Sequence, residues 1–412
     1  MKIYENLQIN YQNVLNILFF SIPVGIALGP LIAEILLNLF TLLIISGLIK
    51  NKNFDIFKEK IFIFLYLFYL VILISALLSQ NGIIIGKAFF YLRFILFLIS
   101  AKFFLNQNYL NLKFAFIPLI FFLVVISDAL FQIFTGESLF GNKGKCCVET
   151  KRFNISGIFF EEEILGSYLS RILPMIIFFV MVYFNKKIST TIALLLFLIS
   201  LWITMFTGER VALFLLLGNF IIFIFTFRKI KYFILTILLI FLTIFGSVQF
   251  SGKVYERIIE TTKNQIFSKD TTYWISEAHS NHIISSYYIF LDNKILGSGP
   301  KSFRIECKKY EDKVRGCSTH PHNYFAQILS ETGILGFSLF IFGLIYLYKL
   351  FFTNLINFYR KHRSSDIVYF LPIGSLLVQF LPFLPTGSFF NNWLSIILFY
   401  TFSLVYLKSK KI

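Results

Sequence analysis

Charge is scarce in this 412-residue chain: 14% of its residues are charged, against about 25% in soluble domains. That shortage excludes a protein whose whole surface faces water. Proline is equally sparse, nine residues beside 55 phenylalanines. This usage fits uninterrupted helices packed in lipid, and it excludes a β-barrel, whose strands alternate polar and apolar residues. No short basic stretch with a small-residue cleavage site precedes the first apolar run, near Val14, so no cleavable signal peptide is expected. Internal repeats and low-complexity linkers are also missing.

What remains is apolar: 57% hydrophobic and 19% aromatic residues, with a mean hydropathy of +0.76. Runs such as "IFIFLYLFYLVILISALLS" meet the roughly 20 residues needed to cross a bilayer. The expected fold is all-α, a polytopic membrane protein of about twelve spans, near 14–29, 31–49, 60–79, 83–105, 114–134, 163–184, 188–206, 211–227, 231–250, 333–352, 367–384 and 389–407. A net charge of +17 does not point to nucleic acid, because the basic residues sit in alternate connections. Lys50, Lys52, Lys58 and Lys60 mark one; Lys102 and Lys113, Lys186 and Lys187, Arg228 and Lys229, Arg360 and Arg363, and Lys408 to Lys411 mark the others. Short basic loops stay in the cytoplasm, so both termini are expected there. Three parts follow: residues 1–250 with nine spans and an outward loop at about 135–162, a large partly helical outward loop at 251–321, and 322–412 with a motif helix and the last three spans.

All four cysteines fall in the two outward loops: Cys146 and Cys147 in the first, Cys307 and Cys317 in the second. An even number in an oxidising compartment reads as disulfides. A bond between adjacent cysteines would be strained, so bridges joining the two loops are expected. Nine residues separate Cys307 from Cys317, wider than the gaps usual in zinc sites, so no metal is expected. The sequon at Asn154 has nothing beside it to suggest use.

Ionisable residues inside spans are costly and usually face a cavity or a partner. Lys87, Arg93, Asp128, Arg171, Arg210 and Glu331 are such residues. Arg210 follows Gly208 in a minimal turn, where its rigid fork of donors suits phosphate oxygens; it would otherwise pair with Glu209 or reach lipid headgroups. Arg93 is expected in a structural salt bridge, with Asp128 as a possible partner. The run "ILGSGPKSF" combines Gly297, Gly299 and Lys301, a composition that permits close approach of an anion to backbone.

The stretch "HNYFAQILSETGILG" carries the most specific pattern: His322 and Asn323, nine residues, then Gly333 and Gly336. This His-Asn-(nine)-Gly-x-x-Gly arrangement resembles the signature of the O-antigen ligase family, within the wider O-antigen ligase and polymerase superfamily. Arg210 at a short outward turn, the run Gly297, Gly299 and Phe303, and the number of spans are similar as well. The specific motifs cover about Thr207 to Gly343.

The resemblance implies a metal-independent, inverting glycosyltransferase without a cofactor. It would move a glycan from undecaprenyl diphosphate to an acceptor hydroxyl, that of lipid A-core, on the periplasmic face of the bacterial inner membrane. His322 takes the family's base position and Arg210 its cation position. The family usually has a second arginine ahead of a tryptophan late in the large loop. Trp274 here has none, so His279, His282, Lys301, Arg304 or Arg171 is expected to complete the diphosphate contacts. His320, before Pro321, is expected to be an extended loop residue. A polymerase of the same superfamily would use a second carrier-linked glycan as acceptor. A transporter should show two related halves with broken helices, and none is evident.

Overall fold

The computed structural model describes residues 2–106, 109–141, 155–184, 186–226, 230–266, 276–314, 317–361 and 367–407. Cys146, Cys147, Asn154 and Trp274, with the basic residues Arg228, Lys229, Arg363 and Lys408, lie outside them. The described residues form helices and no strand.

In chain order the helices are α1 (Lys2–Leu28), α2 (Pro30–Lys50), α3 (Lys60–Leu78), α4 (Gly82–Asn106), α5 (Phe116–Thr135), α6 (Leu165–Tyr183), α7 (Lys186–Thr207), α8 (Arg210–Ile224) and α9 (Ile230–Phe250). Short α10 (Gly252–Val254), a π-helical turn at Tyr255–Glu260 and α11 (Thr261–Ile266) follow. Then come α12 (Glu277–Asp292), α13 (Phe303–Glu306), α14 (Tyr324–Lys361), α15 (Ile367–Gln379) and α16 (Asn392–Leu404). Nine helices among the described residues, α1 to α7, α9 and α14, contain stretches long and apolar enough to cross a membrane, so the chain is a multi-pass membrane protein. Arg210–Ile224, Phe370–Gln379 and Asn392–Leu404 are apolar but shorter.

The shorter helices are a departure with a local cause. Continuous spans were expected at 367–384 and 389–407, yet α15 stops at Gln379 and α16 starts at Asn392. Between them runs "FLPFLPTGSFFN", where Pro382, Pro385 and Gly387 cannot sustain a helical ladder. Thr386 and Ser388–Phe390 of this segment are buried, Leu381 and Phe383 are exposed, and Gly387, Ser388 and Asn391 line a cavity.

Helix α6 is the central element, buried along nearly its whole length from Leu165 to Tyr183. It packs against α7, α8 and α15. Gly166 in its first turn leaves room for the capping contacts: a methyl group there would come within 2.7 Å of the Thr207 hydroxyl and 2.9 Å of Glu209 and displace them. Helix α14 is kinked at Gly333, whose φ of 65° and ψ of −169° suit glycine alone. Thus the motif's first glycine breaks a helix, where a helix-packing role alone would leave the helix straight.

The long connection 251–321 is partly helical, as expected, with α12 lying along the first part of α14. Ser286 of α12 donates to the Ala326 carbonyl at 2.9 Å and to Ser330 Oγ at 3.0 Å. The disulfide expectation is corrected for this loop. Cys307 bonds Cys317 within it, Cα atoms 5.2 Å apart, instead of reaching the first loop. The cause is local: α13 and the 3-10 turn at Cys307–Tyr310 fold the chain back over ten residues, within the reach of a disulfide.

Candidate active site

Four of the five histidines in the sequence meet at one place. His279 and His282 lie one turn apart on α12, and His320 and His322 lie in the turn that precedes α14. The His322 ring centroid is 4.0 Å from that of His320, 5.2 Å from His282 and 5.3 Å from His279. Among the described residues no group of three or more His, Cys, Asp or Glu is placed to hold a metal ion.

The irregular segment between α15 and α16 holds this turn. The Thr386 N–H donates to the His322 carbonyl at 2.8 Å, and His320 Nε2 lies 3.3 Å from the Thr386 carbonyl. A carbonyl only accepts, so the His320 proton resides on Nε2. Its Nδ1 then accepts from the Thr319 hydroxyl at 2.9 Å. Asn323 is the N-cap of α14: its Oδ1 accepts from Ala326 N at 3.0 Å, and its amide donates to the Pro382 carbonyl at 2.7 Å. His322 itself has a φ of 54°, a left-handed conformation unusual for a side-chain-bearing residue and common at functional sites.

Burial depresses all four imidazoles. His322 is pushed down to about 3, by desolvation and then by His320, His279 and His282. His320 falls to about 4, chiefly through desolvation. His279 is lowered by burial and next by the charge of Arg210, and His282 by burial and then His279. Burial thus favours the neutral form of all four at neutral pH, and Ser318 Oγ lies 3.5 Å from His322 Nε2.

A cavity of about 870 Å³ adjoins the cluster and shares His320 with it. Arg171, Lys301 and Arg304, with Glu162 as the one carboxylate, line one part of it, leaving a net positive charge, and Phe121, Phe159 and Leu394 give it an apolar wall. Arg171 is buried; it donates to the Ser167 carbonyl at 3.2 Å, while its Nε finds no partner. Lys301 is pulled down to about 8, first by burial and then by Lys87 and Arg304. Cations that repel one another in a partly dry cavity favour an anion between them. His320 lies in a loop, as expected, but it is half-buried and borders both the histidine cluster and the cavity.

Glu331, unexplained by the sequence pattern, holds the Lys301 loop. Its fully buried carboxyl accepts from Lys301 N at 2.8 Å, Phe303 N at 3.2 Å and Gln327 Nε2 at 3.0 Å. Backbone bonds run alongside, from Ser298 N to the Ser330 carbonyl at 3.0 Å and Gly299 N to the Glu331 carbonyl at 2.9 Å. Gly297 and Gly333 face each other across this contact, and a Cβ on either would collide with the other's backbone. The two glycine motifs are thus two halves of one joint. Gly336 follows on α14, where a side chain would strike Thr332.

Arg210 stands at the start of α8 and donates to Thr262 Oγ1 at 3.3 Å. Its neighbour Glu209 caps α6, accepting from Gly166 N at 2.6 Å, Ser167 N at 3.0 Å and Ser167 Oγ at 2.7 Å. Burial raises Glu209, and these bonds oppose the rise. Sequence reasoning overlooked Arg257. On the π-helical turn, its Nε reaches the Gly208 carbonyl at 3.4 Å, and its charge bears on Arg210. Arg257 lies ahead of Trp274 but early in the large loop. Arg93 is correctly expected in a salt bridge, but with Glu34 at 3.1 Å. Asp128 instead accepts from Leu139 N at 2.6 Å.

Fold and site define a class: a multi-pass helical membrane protein with a net-cationic cavity beside neutral histidines. Residues 193–341 match the family model described as O-antigen ligase, so over that segment the chain is similar to this family. The match runs from α7 to the middle of α14 and includes Arg210, all four clustered histidines, both glycine motifs and Lys301. No curated protein matches the chain.

Proposed function

We propose that this chain transfers a glycan from undecaprenyl diphosphate to a hydroxyl of lipid A-core at the periplasmic face of the inner membrane, with both termini cytoplasmic. The observation that carries the reading is the junction at His320, where neutral imidazoles meet a cavity with cations on one wall and apolar side chains on the other. A polyprenyl diphosphate needs both walls, one for its charge and one for its chain.

In this reading His322 accepts the proton of the acceptor hydroxyl. The oxygen attacks the anomeric carbon from the face opposite the diphosphate, and the glycosidic bond to the phosphate oxygen breaks. The electron pair leaves with the diphosphate, and the sugar is inverted. Arg171, Lys301 and Arg304 stabilise the charge that grows on the leaving group, and Arg210 with Arg257 complete the contacts. Stabilisation of this kind is strongest in a site already organised and partly dry. A bound diphosphate also raises the depressed histidines, so His322 has its greatest proton affinity when the donor is seated. No cofactor or metal is required.

The test is a deletion strain complemented with wild type, His322→Ala or Arg210→Ala, with surface polysaccharide separated on gels. Unattached polymer that accumulates on its carrier in the variants supports ligation. Single repeat units on lipid A-core would instead assign a polymerase of the same superfamily. Normal polysaccharide in His322→Ala would overturn the assignment of the base.

A further inference from the structure

A second cavity, of about 370 Å³, lies back to back with the first. Its polar lining comes from Glu34, Asn38, Lys87, Arg93 and Asn392, with Pro300 as part of its wall. The same two segments separate the two spaces, residue by residue. Lys301, Asn391 and Trp393 face the larger cavity, whereas Pro300, Phe390 and Asn392 face the smaller. Both volumes fall in the range of ligand sites, about 300–1,000 Å³.

The smaller space has the donors of an anion site. Arg93 Nη2 pairs with Glu34 at 3.1 Å and Nη1 donates to the Phe90 carbonyl at 2.6 Å, but its buried Nε has no partner. Lys87, a turn and a half earlier on α4, is exposed on the same cavity. One carboxylate thus faces two cations, leaving a net positive charge. Lys87 is also the first charged group after burial to depress Lys301 across the dividing wall. At a rise of about 1.5 Å per residue, Lys87 lies only about 8 Å from the Gly82 end of α4. A charge in that position costs energy unless it has a partner or a role.

We infer that Lys87, Arg93 and Asn392 form a second binding site for the phosphate group of a lipid-anchored molecule, separate from the Arg171–Lys301–Arg304 cavity. It rests on the proposed transfer reaction only in its role: the site would seat the anchor of the acceptor while the first cavity seats the donor. The chemistry shared by candidate ligands is a phosphate or diphosphate, attached to a lipid or free.

Native mass spectrometry of the full chain in detergent, with farnesyl diphosphate as probe, tests this. Wild type is expected to bind two probe molecules. Lys87→Gln is expected to keep one and to bind the other at least about tenfold more weakly, the loss typical of a charge-assisted contact. Lys87 is exposed, so the change leaves packing intact. Arg304→Gln should weaken the remaining site and leave the Lys87 site unchanged. Two probes bound with wild-type affinity by Lys87→Gln would overturn the inference. An unchanged Arg304→Gln would count against the donor cavity alone, so the two failures are distinguishable. Inorganic pyrophosphate added at the probe's concentration identifies the source. Retention of the probe supports a lipid headgroup; equal displacement supports the same site as a free-diphosphate site.

Discussion

Replacing Glu331 by glutamine would test how the cationic loop is held. Three N–H donors converge on this carboxyl: Lys301 N and Gln327 Nε2 on one oxygen, Phe303 N on the other. The glutamine oxygen can keep the first two. Its NH₂ group then faces the Phe303 N–H, donor against donor, in a fully buried position. One unsatisfied buried donor costs about 1–3 kcal/mol. If that cost falls on local opening of the loop, the Lys301–Phe303 amides should exchange with solvent about 5- to 150-fold faster, since about 1.4 kcal/mol is tenfold. Hydrogen–deuterium exchange of peptides spanning residues 298–305, in detergent, reads this directly. Faster exchange confined to these peptides is the expected result. Unchanged protection would mean that one carboxyl oxygen accepts nothing and carries its own proton, and the reasoning would fail.

Further outcomes follow from the same contacts. His322→Ala should lower transfer by about 10²- to 10⁴-fold, the range of general-base contributions, while membrane abundance stays at the wild-type level. All four clustered histidines are depressed below their ordinary value near 6.5, His320 to about 4 and His322 to about 3. The unfolded chain therefore binds more protons between those values and about 6.5, and the stability from neutral histidines is present above 6.5 and lost as pH falls. Melting in detergent should drop from pH 7 to pH 4.5, with a shallower slope in a His320→Asn, His322→Asn double variant; equal slopes would contradict the burial argument. Gly297→Ala combines a positive φ with collision against Gly333, so it should cost at least about 1–3 kcal/mol and appear as lower abundance or melting temperature. Cys307→Ser should remove about 2–3 kcal/mol by the loop-entropy argument, and alkylation without reduction should label Cys317 only in that variant.

Much of the fold was legible because helix length and hydropathy are local properties. The helices α1 to α9 lie close to the expected runs, since each run carries its own signal over about 20 residues. The stop of α15 at Gln379 was missed for the opposite reason. The segment 380–391 keeps six Phe and Leu residues that read as part of a span, while its two prolines, glycine and polar Thr386, Ser388 and Asn391 mark the break. Its value to the site, through Pro382, Thr386 and Ser388, comes from contacts with residues about 60 positions away, which no window along the chain can register. The histidines divide in the same way. The spacing from His322 to Gly333 and Gly336 singled out His322, yet the convergence of His279 and His282 on it depends on α12 packing against α14. The nearness of Arg257 to Arg210 likewise depends on how the start of the long loop packs against the turn between α7 and α8.

The spacing between His322 and Gly333 has a mechanical explanation in this architecture. His322 and Asn323 end the loop and cap α14, and Gly333 kinks the same helix about three turns later. The kink receives Gly297, and the chain from Gly297 to Phe303 then returns toward the start of α14 and carries Lys301 with it. Glu331, two residues before the kink, fastens that return. A shift of one residue between His322 and Gly333 would rotate the kink by about 100° around the helix and separate Lys301 from His320. The pattern therefore encodes a distance between histidines and cations. The glycines need not touch any substrate to be essential, and their loss should impair the site through the position of Lys301 while the imidazoles remain in place.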